Sequence, residues 1–155
     1  MDKDKIRIFR KDLRKFDRLN ELLNDSCCSG VTMAQCHVLL EIEENSEITT
    51  NQLADNLKLD KSTLSRTIDK LVNAGLVDRK VSPTDRRYTF LFLTEAGQTK
   101  CKEINDVNDN SYNQIFNTIS TENPDEIVTH FKYLVEAMNN YLQYTSNKNS
   151  CCQQD

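Results

Sequence analysis

The stretch from Thr49 to Thr94 leaves this chain few folds to choose from. Thr49-Thr50-Asn51-Gln52-Leu53-Ala54-Asp55-Asn56-Leu57 opens on a capping hydroxyl and carries Leu53, Ala54 and Leu57 at helical spacing. Lys58-Leu59 makes a turn. Asp60 then caps a second helix from Lys61 to Asn73, whose Leu64, Ile68, Leu71 and Val72 point inward. The other face presents Ser62, Thr63, Ser65, Arg66, Asp69 and Lys70, short or cationic side chains suited to base edges and phosphates. Gly75 stops the helix. Two strands follow, over residues 76–81 and 87–93, joined by Ser82-Pro83-Thr84-Asp85-Arg86. A helix sized for a major groove beside a hairpin tipped with arginine is a device for holding duplex DNA.

The flanks read as helices. Residues 5–24 place Ile6, Phe9, Leu13, Phe16, Leu19 and Leu23 on one stripe beneath a densely charged outer face. Thr32 caps a helix over residues 33–44 with Cys36, Leu39 and Leu40 inward, and Ile48 adds a short third strand beside the wing. Thr94 caps a long helix through Cys101, Ile104, Val107, Ile115 and Ile119, with Cys101 in its apolar stripe as a small core residue. Pro124 starts a last helix over residues 125–144, with Ile127, Phe131, Leu134, Met138 and Tyr141 on one side. The fold class expected is mainly α: a winged helix-turn-helix with a two- to three-stranded wing sheet and a helical dimerisation layer built from the N- and C-terminal helices. Residues 31–94 form the DNA-binding part, 1–30 and 95–145 the dimerisation region, and 146–155 a flexible tail with cysteines. The outer helices carry stripes too wide for the small reading core to cover, so two chains are expected to share them. A homodimer can place two recognition helices about 10 base pairs apart.

Composition enters at two points. The net charge of −4 is unlike a nucleic-acid binder until it is divided along the chain. Residues 58–90 hold eight basic side chains (Lys58, Lys61, Arg66, Lys70, Arg79, Lys80, Arg86, Arg87) against four acidic ones, whereas residues 25–57 hold six acidic and no basic ones. Positive charge therefore gathers on the recognition helix and wing, where phosphates would lie. No run approaches the length of a membrane span and the N-terminus has no signal-like core, so a cytoplasmic location with no membrane partner is expected.

The six cysteines are the second point. No spacing among them matches an established zinc pattern, and a disulfide framework is not expected of a cytosolic chain. Cys27, Cys28 and Cys36 flank one loop with Gly30 to bend it, and Cys151 and Cys152 lie in the tail. Adjacent cysteines offer thiolates to a soft ion more readily than they bond each other. The five would suit As(III), Cu(I), Zn(II) or an oxidant. Equally, they are tolerated thiols in a reducing compartment. His37 lies beside Cys36, yet a single histidine on a helix is usually packed or solvated; His130 shares its helix with no other soft ligand, and Tyr133, Tyr141 and Tyr144 read as dimer-layer aromatics. Glycine-rich phosphate loops, nucleophile elbows and His-Glu zinc motifs are all missing, so no enzyme is expected.

Four blocks, in their order and spacing, resemble the MarR family of winged-helix transcription regulators. They are Thr49-Thr50-Asn51-Gln52-Leu53-Ala54; Ser62-Thr63-Leu64-Ser65-Arg66-Thr67-Ile68-Asp69-Lys70-Leu71; Gly75-Leu76-Val77-Asp78-Arg79; and Asp85-Arg86-Arg87 running into Leu91-Phe92-Leu93-Thr94-Glu95-Ala96-Gly97. The resemblance implies a homodimer on a pseudo-palindromic operator, usually a repressor, with an effector site near the junction of the two layers. It also implies base contacts from Ser62, Thr63, Ser65 and Arg66 and a phosphate contact from Lys70. Asp85 would hold one neighbouring arginine while Arg86 or Arg87 enters the minor groove, where a narrow groove concentrates negative potential. Release by a thiol-reactive effector, release by an aromatic or phenolic ligand with the cysteines uninvolved, and a protein-binding or metal-buffering winged helix that never meets DNA all remain open at this level.

Overall fold

The computed structural model of the chain describes residues 1–27, 30–83, 85, 87–119 and 123–151, the backbone alone at residues 24–27 and 146–151. The chain divides into two compact units, Met1–Asp109 and Asn110–Asp155. Its elements in order are α1 (Lys3–Cys27), α2 (Met33–Asn45), β1 (Ile48–Thr49), α3 (Thr50–Leu57), α4 (Lys61–Asn73), β2 (Val77–Val81), β3 (Thr89–Leu93), α5 (Glu95–Asn117) and α6 (Pro124–Cys151). This is the mainly helical winged helix-turn-helix expected from the sequence.

Local chemistry sets most boundaries. Thr32 and Thr49 each accept from the backbone N–H three residues on, and Gln35 and Gln52 reach back, so both α2 and α3 begin in capping boxes. Lys58 ends α3 in the left-handed region at φ 53°. Gly75 has φ 69°. Its N–H reaches the Val72 carbonyl at 2.9 Å and the Leu76 N–H reaches the Leu71 carbonyl at 3.0 Å, the paired bonds of a Schellman C-cap on α4.

The sheet runs in the order β1-β3-β2, antiparallel throughout. Ile48 faces Leu91 and Arg79 faces Leu91 from the other side, so β1 completes the wing as a third strand. Leu39 and Ile42 of α2, Leu53 of α3, Leu64, Ile68 and Leu71 of α4, Val77 of β2, Leu91 of β3 and Cys101 and Ile104 of α5 are nearly or fully buried in one cluster. Each such side chain contributes about 1.5–3 kcal/mol of apolar burial. The first half of α5 thus belongs to the reading head's core.

Several limits differ from the sequence reading. β2 and β3 are shorter than expected by one and two residues, because Leu76 serves the helix cap and Arg87-Tyr88 serve the turn. α6 continues to Cys151, beyond the expected end at Tyr144. Residues 145–151 lack an apolar stripe but also lack Gly and Pro, and Thr145 Oγ1 donates to the Tyr141 carbonyl at 3.1 Å. Likewise α1 reaches Cys27. No helix among the described residues is long and apolar enough to cross a membrane.

Candidate nucleic-acid interface

The candidate recognition face is the exposed side of α4. Leu64, Thr67, Ile68 and Leu71 are buried, which leaves Ser62, Thr63, Ser65, Arg66, Asp69 and Lys70 on the exposed side. The helix begins on Asp60, whose Oδ1 accepts from the Ser62 hydroxyl at 2.6 Å and from the Thr63 backbone at 2.8 Å. Those bonds, the Ser62 hydroxyl first and the Thr63 groups next, hold the Asp60 carboxyl far below the usual carboxylate range. The cap therefore carries its negative charge at the start of the helix, where the dipole welcomes it. It also fixes the Ser62 hydroxyl, directing its proton to Asp60 and leaving its lone pairs to accept.

At the wing tip, Asp85 grips Arg87. Arg87 Nη2 donates to Asp85 Oδ2 at 2.7 Å, Nε lies 3.0 Å from Oδ1, and the Arg87 backbone N–H donates to Oδ1 at 3.0 Å. The fork matches a carboxylate side-on, the geometry that makes an arginine pair directional. Bonding to Arg87, through its side chain first and its backbone second, lowers the Asp85 pKa, and Asp85 in turn raises that of Arg87. The guanidinium side chain stays 86% exposed while Asp85 is 31% exposed, so the pair presents the cation outward. The turn is braced beneath by Ser82, whose Oγ accepts from the Asp85 N–H at 3.3 Å. Arg86 lies outside the described residues.

A contact that sequence reading missed ties helix to wing. Arg79 Nη2 on β2 donates to Asp69 Oδ1 on α4 at 2.6 Å. Cross-strand partners share a face, so Arg79 stands on the side of the buried Leu91, toward α4. The ten-residue separation matches no helix or strand period, so no local signal announces the pair. The carboxylate on that face is thereby neutralised in place, and Arg66 and Lys70 are its cations with no ion pair among the described residues.

A second missed feature lies where α5 departs. Gly97 is buried, and a Cβ there would collide with the Leu76 carbonyl oxygen. Thr94 Oγ1 donates to the Gly75 carbonyl at 2.7 Å and accepts from the Gly97 N–H at 3.0 Å. The first turn of α5 is thus clasped to the end of the recognition helix.

The cysteines separate. Cys101 is fully buried, as its place in the stripe predicted, and burial, with the nearby Glu43 charge, pushes its thiol up to about 11. Cys36 is 3% exposed in the core of the reading head, on the inward face where the helical spacing put it. The side chains of Cys27 and Cys151, and all of Cys28 and Cys152, lie outside the described residues. Among the described residues no cluster of three or more His, Cys, Asp or Glu could hold a metal ion.

A model of the MarR family matches residues 29–87. The multiple antibiotic resistance protein MarR of Escherichia coli K12 is 36% identical over 91 residues, 58% of this chain and 61% of that protein. The transcriptional repressor MprA of the same organism is 29% identical over 96 residues, 62% of this chain and 54% of that one. The chain thus spans little more than half the length of these curated relatives. Among solved structures, a mutant E. coli MarR complexed with operator DNA superposes with a TM-score of 0.68 at 27% identity, covering 87% of this chain and 95% of that one. A MarR transcriptional regulator from Methanosarcina mazei Go1 gives 0.77 over 87% and 99%, at 24% identity that speaks for the fold.

Proposed function

Since the chain belongs to the MarR family of transcription regulators, we propose that it binds a pseudo-palindromic operator as a homodimer and acts as a repressor. The observation that carries this reading is the Asp85–Arg87 fork at a wing beside an α4 whose whole outer face is short, polar or cationic. In it, Ser62, Thr63, Ser65 and Arg66 read base edges, Lys70 meets phosphate, and Arg87, braced by Asp85, enters the minor groove beside Arg86. Residues 31–94 read DNA, and 1–30 with 95–145 pair the subunits. Exposed Ile6, Phe9, Phe16 and Leu19 on α1, and exposed Phe131, Val135, Met138 and Tyr141 on α6, support that pairing.

Selection of duplex fragments from a random pool by the purified chain tests the reading. A two-fold symmetric consensus is expected, with affinity falling at a log–log salt slope of about −0.9 per phosphate neutralised. Failure to enrich any duplex would instead favour a winged helix that binds protein. Release by As(III), Cu(I), Zn(II) or an oxidant is the second part of this reading and rests on Cys27, Cys28, Cys151 and Cys152, not on buried Cys36. Serine at all four then abolishes release by arsenite while leaving operator binding intact.

A further inference from the structure

Ser62 is the second residue of α4, and it is exposed. The N-terminal turn of a recognition helix is the part that meets base edges in a major groove. A serine hydroxyl there is ordinarily a poor discriminator, because it holds one proton and two lone pairs and turns to suit a donor or an acceptor. This hydroxyl is not free to turn. It donates its proton to Asp60 Oδ1 at 2.6 Å, the length of a bond to an ionised carboxylate. The same oxygen accepts from the Thr63 backbone N–H at 2.8 Å, so Asp60 swings away only by opening the cap of α4. These bonds hold the Asp60 carboxyl far below the usual carboxylate range, and it stays ionised at neutral pH. Turning the hydroxyl toward a base oxygen exchanges a charge-assisted bond for a neutral one. Only its lone pairs are left to face outward.

We propose that Ser62 determines specificity as an acceptor only: it takes a hydrogen bond from an exocyclic amine in the major groove, adenine N6 or cytosine N4, and rejects the keto oxygens of thymine and guanine at the same place. Every base pair carries one such amine and one keto oxygen in that groove, on opposite bases. An acceptor-only hydroxyl therefore reads which way round one pair lies in each half-site. Asp60 is the positioning residue, since it touches Ser62 and not the base. Thr67 shows the contrast within the same helix. Its hydroxyl donates to the Thr63 carbonyl at 3.1 Å on the buried side, where no base edge reaches it. The inference rests on the operator-binding reading above and adds the chemistry read at one position.

The test begins with duplex selection by the full chain and by Ser62→Ala, which is expected to lose the preference at one position of each half-site. Synthetic duplexes of the selected sequence are then altered at that pair, and binding is followed by fluorescence anisotropy. Purine for adenine, or pyrimidin-2-one for cytosine, deletes the amine. The converse changes, 2-aminopurine for guanine or 5-methylpyrimidin-2-one for thymine, delete the keto oxygen. Amine deletion is expected to weaken the unaltered chain about tenfold more than keto deletion, a difference of roughly 1.4 kcal/mol. With Ser62→Ala the two deletions are expected to agree within about twofold, which closes the cycle between hydroxyl and amine. Asp60→Asn keeps a capping side chain and removes the charge that holds the proton, so its tolerance of the inverted pair is expected to rise. Equal losses on the two deletions, or a larger loss with the keto oxygen, overturn the proposal on the unaltered chain alone. So does an amine preference that survives Ser62→Ala, or an Asp60→Asn chain that rejects the inverted pair as sharply as before. Enrichment of no duplex removes the operator reading and this one with it, whereas an enriched duplex with no position dependent on Ser62 removes this one alone.

Discussion

Arg87 and Asp85 show how much a single residue can settle at a wing tip. A free arginine samples many rotamers, and ordering it on DNA costs side-chain entropy. The fork on Asp85 removes that cost in advance and holds the guanidinium outward. Two substitutions separate positioning from plain charge. Arg87→Ala is expected to weaken operator binding about tenfold, roughly 1.4 kcal/mol. Asp85→Asn makes the chain less negative, so charge alone predicts tighter binding, whereas a positioning role predicts weaker binding, by anisotropy titration. Its pH behaviour follows from sign. Asp85 has a folded pKa depressed by Arg87, so the pair's contribution is complete above the ordinary value of 3.8 and fades only as pH falls through the lower folded one. Operator affinity across the neutral range therefore owes no pH dependence to this pair. Gly97 is the structural counterpart. Gly97→Ala forces a Cβ against the Leu76 carbonyl, and thermal unfolding is expected to register a loss of about 1–3 kcal/mol or more.

At the scale of elements, the question is what aligns the wing with the recognition helix. Apolar contacts between α4 and β2 hold the two together, but burial is non-directional. The Asp69–Arg79 pair adds a direction. Half-exposed pairs of this kind contribute little to stability, about 0–1 kcal/mol, so its value is in geometry. Asp69→Ala leaves an extra cation near phosphate and Arg79→Ala leaves an extra carboxylate, so the single variants move affinity in different ways by charge alone. The exchange Asp69→Arg with Arg79→Asp preserves net charge. If the pair positions the wing, the exchanged protein is expected to recover most of the operator affinity lost in Arg79→Ala, with its melting temperature nearly unchanged. Recovery of neither would place the effect in direct contact with DNA.

For the whole molecule, the exposed stripes of α1 and α6 dominate. Phe9 is 43% exposed and Met138 48% exposed, each in a row of similar neighbours. Glutamate at both positions is expected to shift the chain to a monomer in sedimentation equilibrium and to reduce operator affinity by the loss of paired half-sites. The reading head's own core does not depend on these stripes, so far-ultraviolet circular dichroism is expected to retain its helical signal.

What the sequence by itself determined was everything local. Hydroxyl caps at Thr32, Thr49 and Thr94, the glycine at the end of α4, the helical period of Leu64, Ile68 and Leu71, and the turn around Asp85 each act over a few residues, so the string of letters carries them. The lengths of α1 and α6 were less legible, since polar runs without Gly or Pro neither demand nor forbid another turn. Only the tertiary structure decided the rest. Asp69 meets Arg79, Gly97 admits Leu76, and Glu43 meets Asn105 across 62 residues. These meetings depend on how α2, α4, β2 and α5 pack, and packing is set by the summed burial of many side chains at once. No period or spacing records that sum, which is why the helices and wing strands were visible from the residues while the joints that align them were not.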